Sequence, residues 1–214
     1  SRVNIVIPPI SLTGPALTIR KFLKKRRMNI EDAISLGSWS EDMVEFLRAC
    51  VRTKLNIIVA GNTGAGKTTV LNLVAGMIPE GERIITIENA NELQLPQKYV
   101  VPLESRPSNA KGRGQITIQD LVLNSLRMRP DRVVVGEVRG PEVIDLLQAM
   151  NTGHDGIMFT IHGSGPRDAL ARLEMIATSS DPSVPLLNVR RKIASTVDLI
   201  VHLERLHDGS RKVI

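Results

Sequence analysis

Apolar residues in this chain fall into short segments with two alternating spacings. Leu55-Asn-Ile-Ile-Val-Ala60, Arg83-Ile-Ile-Thr-Ile-Glu88, Arg132–Val135, Ile157–Ile161 and Asp198–Leu203 are nearly continuous and rich in β-branched residues. Runs of that length and composition predict strands buried on both faces. Between them the spacing becomes helical: Val70, Leu71, Val74 and Met77 share one face, and Val143, Leu146, Leu147 and Met150 share another. Start signals place further helices. Asn29 caps residues 30–36, Ser40 caps 41–52, Thr117 opens a helix through Leu126, and Pro166 opens one ending near Ala177. A last helix covers 188–196. Tyr99–Leu103 is a further extended piece, followed by a Gly/Arg-rich loop over 104–115, and Asp208-Gly209 marks a hairpin into a final strand. Strands and helices in alternation predict an α/β fold with a parallel sheet covered on both sides. Residues 3–7 and 16–22 predict two β segments ahead of that pattern. The expected division is 1–28 as the tail of a preceding domain and its linker, and 29–214 as the main domain.

Composition narrows the classes. The 214 residues are 42% hydrophobic, enough for one sizeable core. The only aromatics are Phe22, Trp39, Phe46, Tyr99 and Phe159, so the core is aliphatic and base-stacking platforms are not expected. A single cysteine, Cys50, forms no internal disulfide and suits a reducing compartment. No apolar stretch approaches the ~20 residues of a membrane span, and the first residues do not read as a signal peptide. A cytoplasmic protein is expected. The net charge of +6 fits a solvated basic face plus the arginines of an anion site better than a nucleic-acid surface. Its densest basic run, Arg20–Arg27, is short.

The chemistry begins at Gly61-Asn62-Thr63-Gly64-Ala65-Gly66-Lys67-Thr68, which satisfies G-x-x-x-x-G-K-[ST] at every fixed position, with Thr69 following. A strand precedes it and a helix follows. Glycines let backbone N–H groups turn inward around phosphate oxygens, Lys67 supplies charge to the β/γ-phosphates, and the Thr68 hydroxyl can hold Mg2+.

Hydrolysis also needs a group to orient water and groups to offset developing charge. Two carboxylates sit where apolar strands end: Glu137 after Arg132–Val135, and Glu88 at the end of Arg83–Glu88, with Glu92 nearby. Glu137 follows Gly136, which stands where an Asp is usual, so Glu137 is the carboxylate expected to poise water. Glu88 is a candidate to bind Mg2+ through water or to assist the base. His162 follows another strand and can report a γ-phosphate; His154 precedes that strand. Arg2, Arg20, Arg106, Arg113, Arg127, Arg129 and Arg139 are available for phosphate contacts, in cis or from a neighbouring subunit.

Taken in order, GNTGAGKTT, RIITIENANELQL, GRGQITIQDLVLNSLRMRPDRVVVGEVRG, LLQAMNTGHDG and TIHGSGPRDALARLE resemble the secretion-superfamily ATPases of type II and IV secretion, type IV pili and archaeal flagella. The pattern is most similar to the CpaF/TadA branch of Flp pilus assembly. The resemblance runs from Arg2 to Val213 and implies a RecA-like P-loop core that hydrolyses ATP with Mg2+. It implies a homo-oligomer of six acting on an inner-membrane platform protein, associated peripherally with that membrane, with no direct nucleic-acid partner. It further implies Gly61–Thr69 as the Walker A loop, Glu88 in the aspartate box, Glu137 as catalytic glutamate, His162 in the histidine box, and Arg2 and Arg20 as clamp arginines, with Arg129 a further candidate. The chain departs at Asn89, where the family has Asp, and at Gly163-Ser164, where it has Ala-Asn. It also starts inside the family's N-terminal domain and ends before its last helices, as a fragment would. The rival on the same fold is a hexameric helicase or nucleic-acid translocase. A small-molecule kinase and a nucleotide-gated assembly protein are further alternatives.

Overall fold

The computed structural model describes residues 2–20 and 28–214. The predicted β residues 21 and 22, and the basic run beyond Arg20, lie outside that range. Strands β1 (Arg2–Val6) and β2 (Ala16–Arg20) pair antiparallel in their own two-stranded sheet. Val3 opposes Ile19 and Ile5 opposes Leu17 across the ladder, and all four are more than half exposed.

Helices α1 (Ile30–Ser35) and α2 (Glu41–Arg52) start at the caps the sequence announces. Asn29 accepts from the Asp32 N–H at 2.7 Å, and Asp32 returns the bond to the Asn29 N–H at 3.0 Å. Ser40 accepts from the Met43 N–H. These contacts satisfy amides that the first helical turn leaves open. The remaining elements are β3 (Ile57–Gly61), α3 (Lys67–Ala75), β4 (Ile84–Glu88), β5 (Val100–Glu104), α4 (Ile118–Ser125), β6 (Arg132–Val135), α5 (Glu142–Asn151), β7 (Met158–His162), α6 (Pro166–Ser180), α7 (Leu186–Thr196), β8 (Leu199–Arg205) and β9 (Arg211–Val213). Thr117 and Asp120 form a second reciprocal cap at α4. Helix α6 runs to Ser180, three residues past its predicted end at Ala177, with the Thr178 and Ser180 hydroxyls donating back to the carbonyls of Glu174 and Ile176.

The strands β3 to β9 form one sheet in the order β5-β4-β6-β7-β3-β8-β9. Every pair is parallel except β8 with β9. Alternation along β3 divides the core: Ile58 and Ala60 face the cluster that includes Leu146, Phe159 and Leu173, while Ile57 and Val59 face Leu71 and Val74. The covered parallel sheet is thus as the pattern predicts, with an antiparallel edge strand added by the Asp208-Gly209 turn. Parallel strands put all their C-terminal ends on one rim, which is where ligands bind in such sheets.

Candidate functional site

On that rim β3 ends at Gly61 and the chain loops into α3. Gly64 and Gly66 have φ of 78° and 102°, conformations that cost a side-chain-bearing residue steric energy. Gly66 is the N-cap of α3 and contributes no side-chain cap, so the first-turn amides face the loop, the arrangement that binds phosphate. The Lys67 Nζ donates to the carbonyls of Gly61 at 3.0 Å and Asn62 at 3.2 Å. Partial burial lowers its pKa, while the charge of Glu137 raises it and that of Arg139 lowers it. Lys67, Glu137 and Arg139 therefore share one electrostatic neighbourhood.

Glu137 lies two residues past β6, with its side chain 28% exposed. The Arg139 Nη2 donates to its Oε2 at 2.5 Å. The backbone of that turn is fixed from below. Glu142, 5% exposed, accepts from the N–H groups of Arg139 at 2.8 Å and Gly140 at 2.9 Å. The Thr160 hydroxyl, on β7, donates to the Gly136 carbonyl at 2.7 Å. A cleft of about 520 Å³ opens beside Glu137 and Arg139, lined also by Asn89, Ser105, Arg106 and Gln115.

Glu88 differs in character. It is 4% exposed, and its two oxygens accept from the N–H groups of Glu92 and Leu93 at 3.1–3.2 Å. Burial raises its pKa, opposed by those two backbone bonds and reinforced by the Glu92 and Glu104 charges. The Gly136 N–H donates to the Ile87 carbonyl, so β4 and β6 bring Glu88 beside Gly136. A Cβ on Gly136 would meet the Glu88 Cγ at 2.9 Å. The missing Asp thus has a steric cause: the carboxylate of the neighbouring strand fills its place.

His162 is the last residue of β7 and stands beside Gly61 in the ladder. It lies within electrostatic reach of Asp168, whose pKa is lowered first by the Ser164 N–H and hydroxyl and then by His162 and Arg172. His154 precedes β7 at the opposite rim, so the two histidines do not meet. Among the described residues no cluster of His, Cys, Asp and Glu forms a metal cage.

A family model described as "Type II/IV secretion system protein" matches residues 2–212. The chain belongs to the type II/IV secretion system protein family. A putative conjugal transfer protein of Mycobacterium tuberculosis is 36% identical over 212 residues, covering 99% of this chain and 59% of that protein. A type IV secretion system PtlH homolog of Bordetella bronchiseptica is 34% identical over 234 residues, covering 95% and 67%. The chain thus spans about three-fifths of the length of the first of these relatives. The crystal structure of the VirB11 ATPase from the Brucella suis type IV secretion system, in complex with sulphate, superposes with a TM-score of 0.73 at 29% identity, covering 100% of this chain and 69% of that one. The pilus retraction motor PilT with bound ADP gives a TM-score of 0.70 at 24% identity over 98% of this chain and 57% of PilT, a likeness of fold. The main sheet and its helices are a RecA-like core.

Within this family member, Arg106 lines the cleft beside Glu137, whereas Arg129 lies at the other end of β6. Arg129 is exposed, at φ 52°, three residues before β6 and therefore at the opposite end of that strand from Glu137. Arg2 and Arg20 are paired positions of the separate β1–β2 sheet. Two contributors had no sequence signal. Glu142 reads as an ordinary first-turn helix residue, yet it holds the turn after Glu137. Arg211, on β9, donates its Nε to the Gly64 carbonyl at 3.0 Å, across 147 positions of sequence. Only the strand order brings that residue to the phosphate loop.

Proposed function

We propose that this chain is the ATPase core of a motor that hydrolyses ATP to ADP and phosphate and so powers pilus assembly or protein secretion. The observation that carries the reading is convergence. The phosphate loop of β3, Glu137 after β6 and His162 at the end of β7 meet on one rim of three adjacent strands. In this reading Gly61 to Thr69 cradle the phosphates and Lys67 leaves its loop carbonyls for them. Glu137 orients the attacking water, and His162 reports the terminal phosphate. Mg2+, when bound, would offset phosphate charge. The Thr68 hydroxyl at the first turn of α3 is the oxygen donor that would hold it. Glu88, the other sequence candidate, is buried with both oxygens bound by the Glu92 and Leu93 N–H groups, and a role through water would require it to leave them.

Arg129 precedes β6 and Glu137 follows it, so the length of that strand, about 10 Å at ~3.3 Å per residue over 132–135, lies between them. We therefore assign it to a neighbouring subunit's site. Arg2 and Arg20, opposite one another in the β1–β2 ladder, would close on nucleotide when that sheet swings in. Their separate sheet supports a division into 1–28 and 29–214. The motor would be a homo-hexamer, cytoplasmic, bound at the inner membrane to a platform protein, with the Flp pilus branch as the finer assignment. In support, no helix among the described residues is long and apolar enough to cross a membrane. The test is Glu137→Gln, expected to bind ATP while barely turning it over; full turnover by that variant would refute the reading. Stimulation of turnover by single-stranded DNA, and not by lipid vesicles, would move the assignment to a nucleic-acid motor.

A further inference from the structure

In the arrangement just described one oxygen of the Glu137 carboxylate, Oε2, is already engaged. The Arg139 guanidinium sits on Oε2 at 2.5 Å. The main chain under Arg139 is fixed: its N–H and that of Gly140 are bound by the buried Glu142 carboxylate. The Arg139 side chain is not fixed, being 67% exposed. The pair is thus one anchored backbone and one swinging guanidinium. It borders the cleft of about 520 Å³ and lies within electrostatic reach of the phosphate-loop lysine.

Two physical facts decide what such a pair can do. An ion pair this exposed holds weakly, so a competing anion exchanges it readily. Guanidinium binds phosphate oxygens in a planar fork, and a terminal phosphate carries more charge than one carboxylate. We infer that Arg139 is a counter-ion latch. Before nucleotide arrives it holds Glu137. A terminal phosphate seated on the Gly61–Thr68 loop draws the guanidinium off Glu137 and onto itself, and the freed carboxylate turns to the attacking water. ADP, lacking that phosphate, leaves the latch closed. The inference rests on Glu137 being the water-orienting carboxylate, and it adds the event that makes the residue available. Arg139 is a positioning residue until it lands on phosphate.

A double-mutant cycle read by equilibrium binding tests it, using fluorescent ATP and ADP analogues with the wild type, Glu137→Gln, Arg139→Gln and the double variant. Glu137→Gln removes the latch's partner, so ATP should bind about two- to fivefold tighter and ADP unchanged, the equivalent of one exposed ion pair. Arg139→Gln should weaken ATP about tenfold and ADP little, on the order of one charge-assisted hydrogen bond. In the Arg139→Gln background, the gain from Glu137→Gln should vanish. A gain that persists there would show simple repulsion between Glu137 and phosphate, and the latch would be wrong. Equal weakening of ATP and ADP by Arg139→Gln would also overturn it. Thermal unfolding of each variant identifies any that fails to fold, and Arg139→Lys then supplies the cycle, retaining charge without the fork. Turnover by Glu137→Gln is read in parallel. If turnover persists, the assignment of Glu137 falls; if turnover is lost while the cycle shows no coupling, the latch alone falls.

Discussion

The two rims of the main sheet use charged pairs differently, although each also carries buried polar groups, Glu88 and Glu142 among them at the C-terminal rim. At the N-terminal rim the polar groups are buried and span strands. Asn56, 5% exposed, donates to the Thr196 carbonyl and accepts from the Ile157 N–H, while its own N–H goes to Asp198. Arg132, 1% exposed, donates to Glu82 and to the Val51 carbonyl. Gly156 makes room for it, since a Cβ there would meet the guanidinium at 2.3 Å. At the C-terminal rim the Arg139–Glu137 pair is open to water, and Lys67 rests on carbonyls it can leave. Full burial makes a charge structural, because releasing it would strand it in low dielectric. Partial exposure leaves it exchangeable. Chemistry is to be sought where the ion pairs are loose.

That contrast can be broken in order of size. Glu137→Gln should lower kcat on the order of 10²- to 10³-fold, as loss of one preorganised polar group at a transition state does, while leaving the thermal midpoint in place. Steady-state turnover and a melting curve on the same sample check both halves. Arg132→Ala should do the reverse. Losing the buried guanidinium leaves the Val51 carbonyl without its donor, at about 1–3 kcal/mol, which for a chain of this size lowers Tm by about 5 °C, with ATP affinity unchanged in the folded protein. Arg132→Met, which fills the space without a charge, should lose less. Arg211→Ala removes one hydrogen bond to the phosphate loop, about 1 kcal/mol, so nucleotide Kd should rise about fivefold for ATP and ADP alike. Equal affinity in that variant would reduce Arg211 to a surface residue.

The smallest effect belongs to Glu88. Its folded pKa is raised, chiefly by burial, so the native state holds its proton more firmly than the unfolded chain. The resulting stability is present below the ordinary carboxylate range and is lost as pH rises through the raised value. Glu88→Gln abolishes that decline. The variant's Tm relative to wild type should therefore be more favourable at pH 7.5 than at pH 4, whatever constant offset the lost N–H contacts impose. A difference independent of pH would mean that Glu88 titrates normally.

Much of this was legible in the chain because it is local. Asn29, Ser40 and Thr117 cap the helices the spacing announces, and the all-apolar strands name the parallel sheet. The phosphate loop is local too, and so is the strand-end position of Glu137. What escaped depends on strand order. No pattern near Arg211 says that β9 folds beside β8 and carries it to Gly64. His154 and His162 look like partners in sequence, but a whole strand separates them. Glu88 reads as a strand-end candidate to bind Mg2+ through water or assist the base, and the structure gives it a buried place among backbone amides.

The contact between Glu88 and Gly136 has a consequence for how such sites vary. Two neighbouring strands share one slot, and only one can project a carboxyl group into it. In this chain a side chain at 136 would require Glu88 to shift, since a Cβ there meets the Glu88 Cγ at 2.9 Å. The two positions are therefore expected to change together: Gly136→Asp should be tolerated when paired with Glu88→Ala and rejected alone. The acidic group belongs to the slot, and either strand can own it.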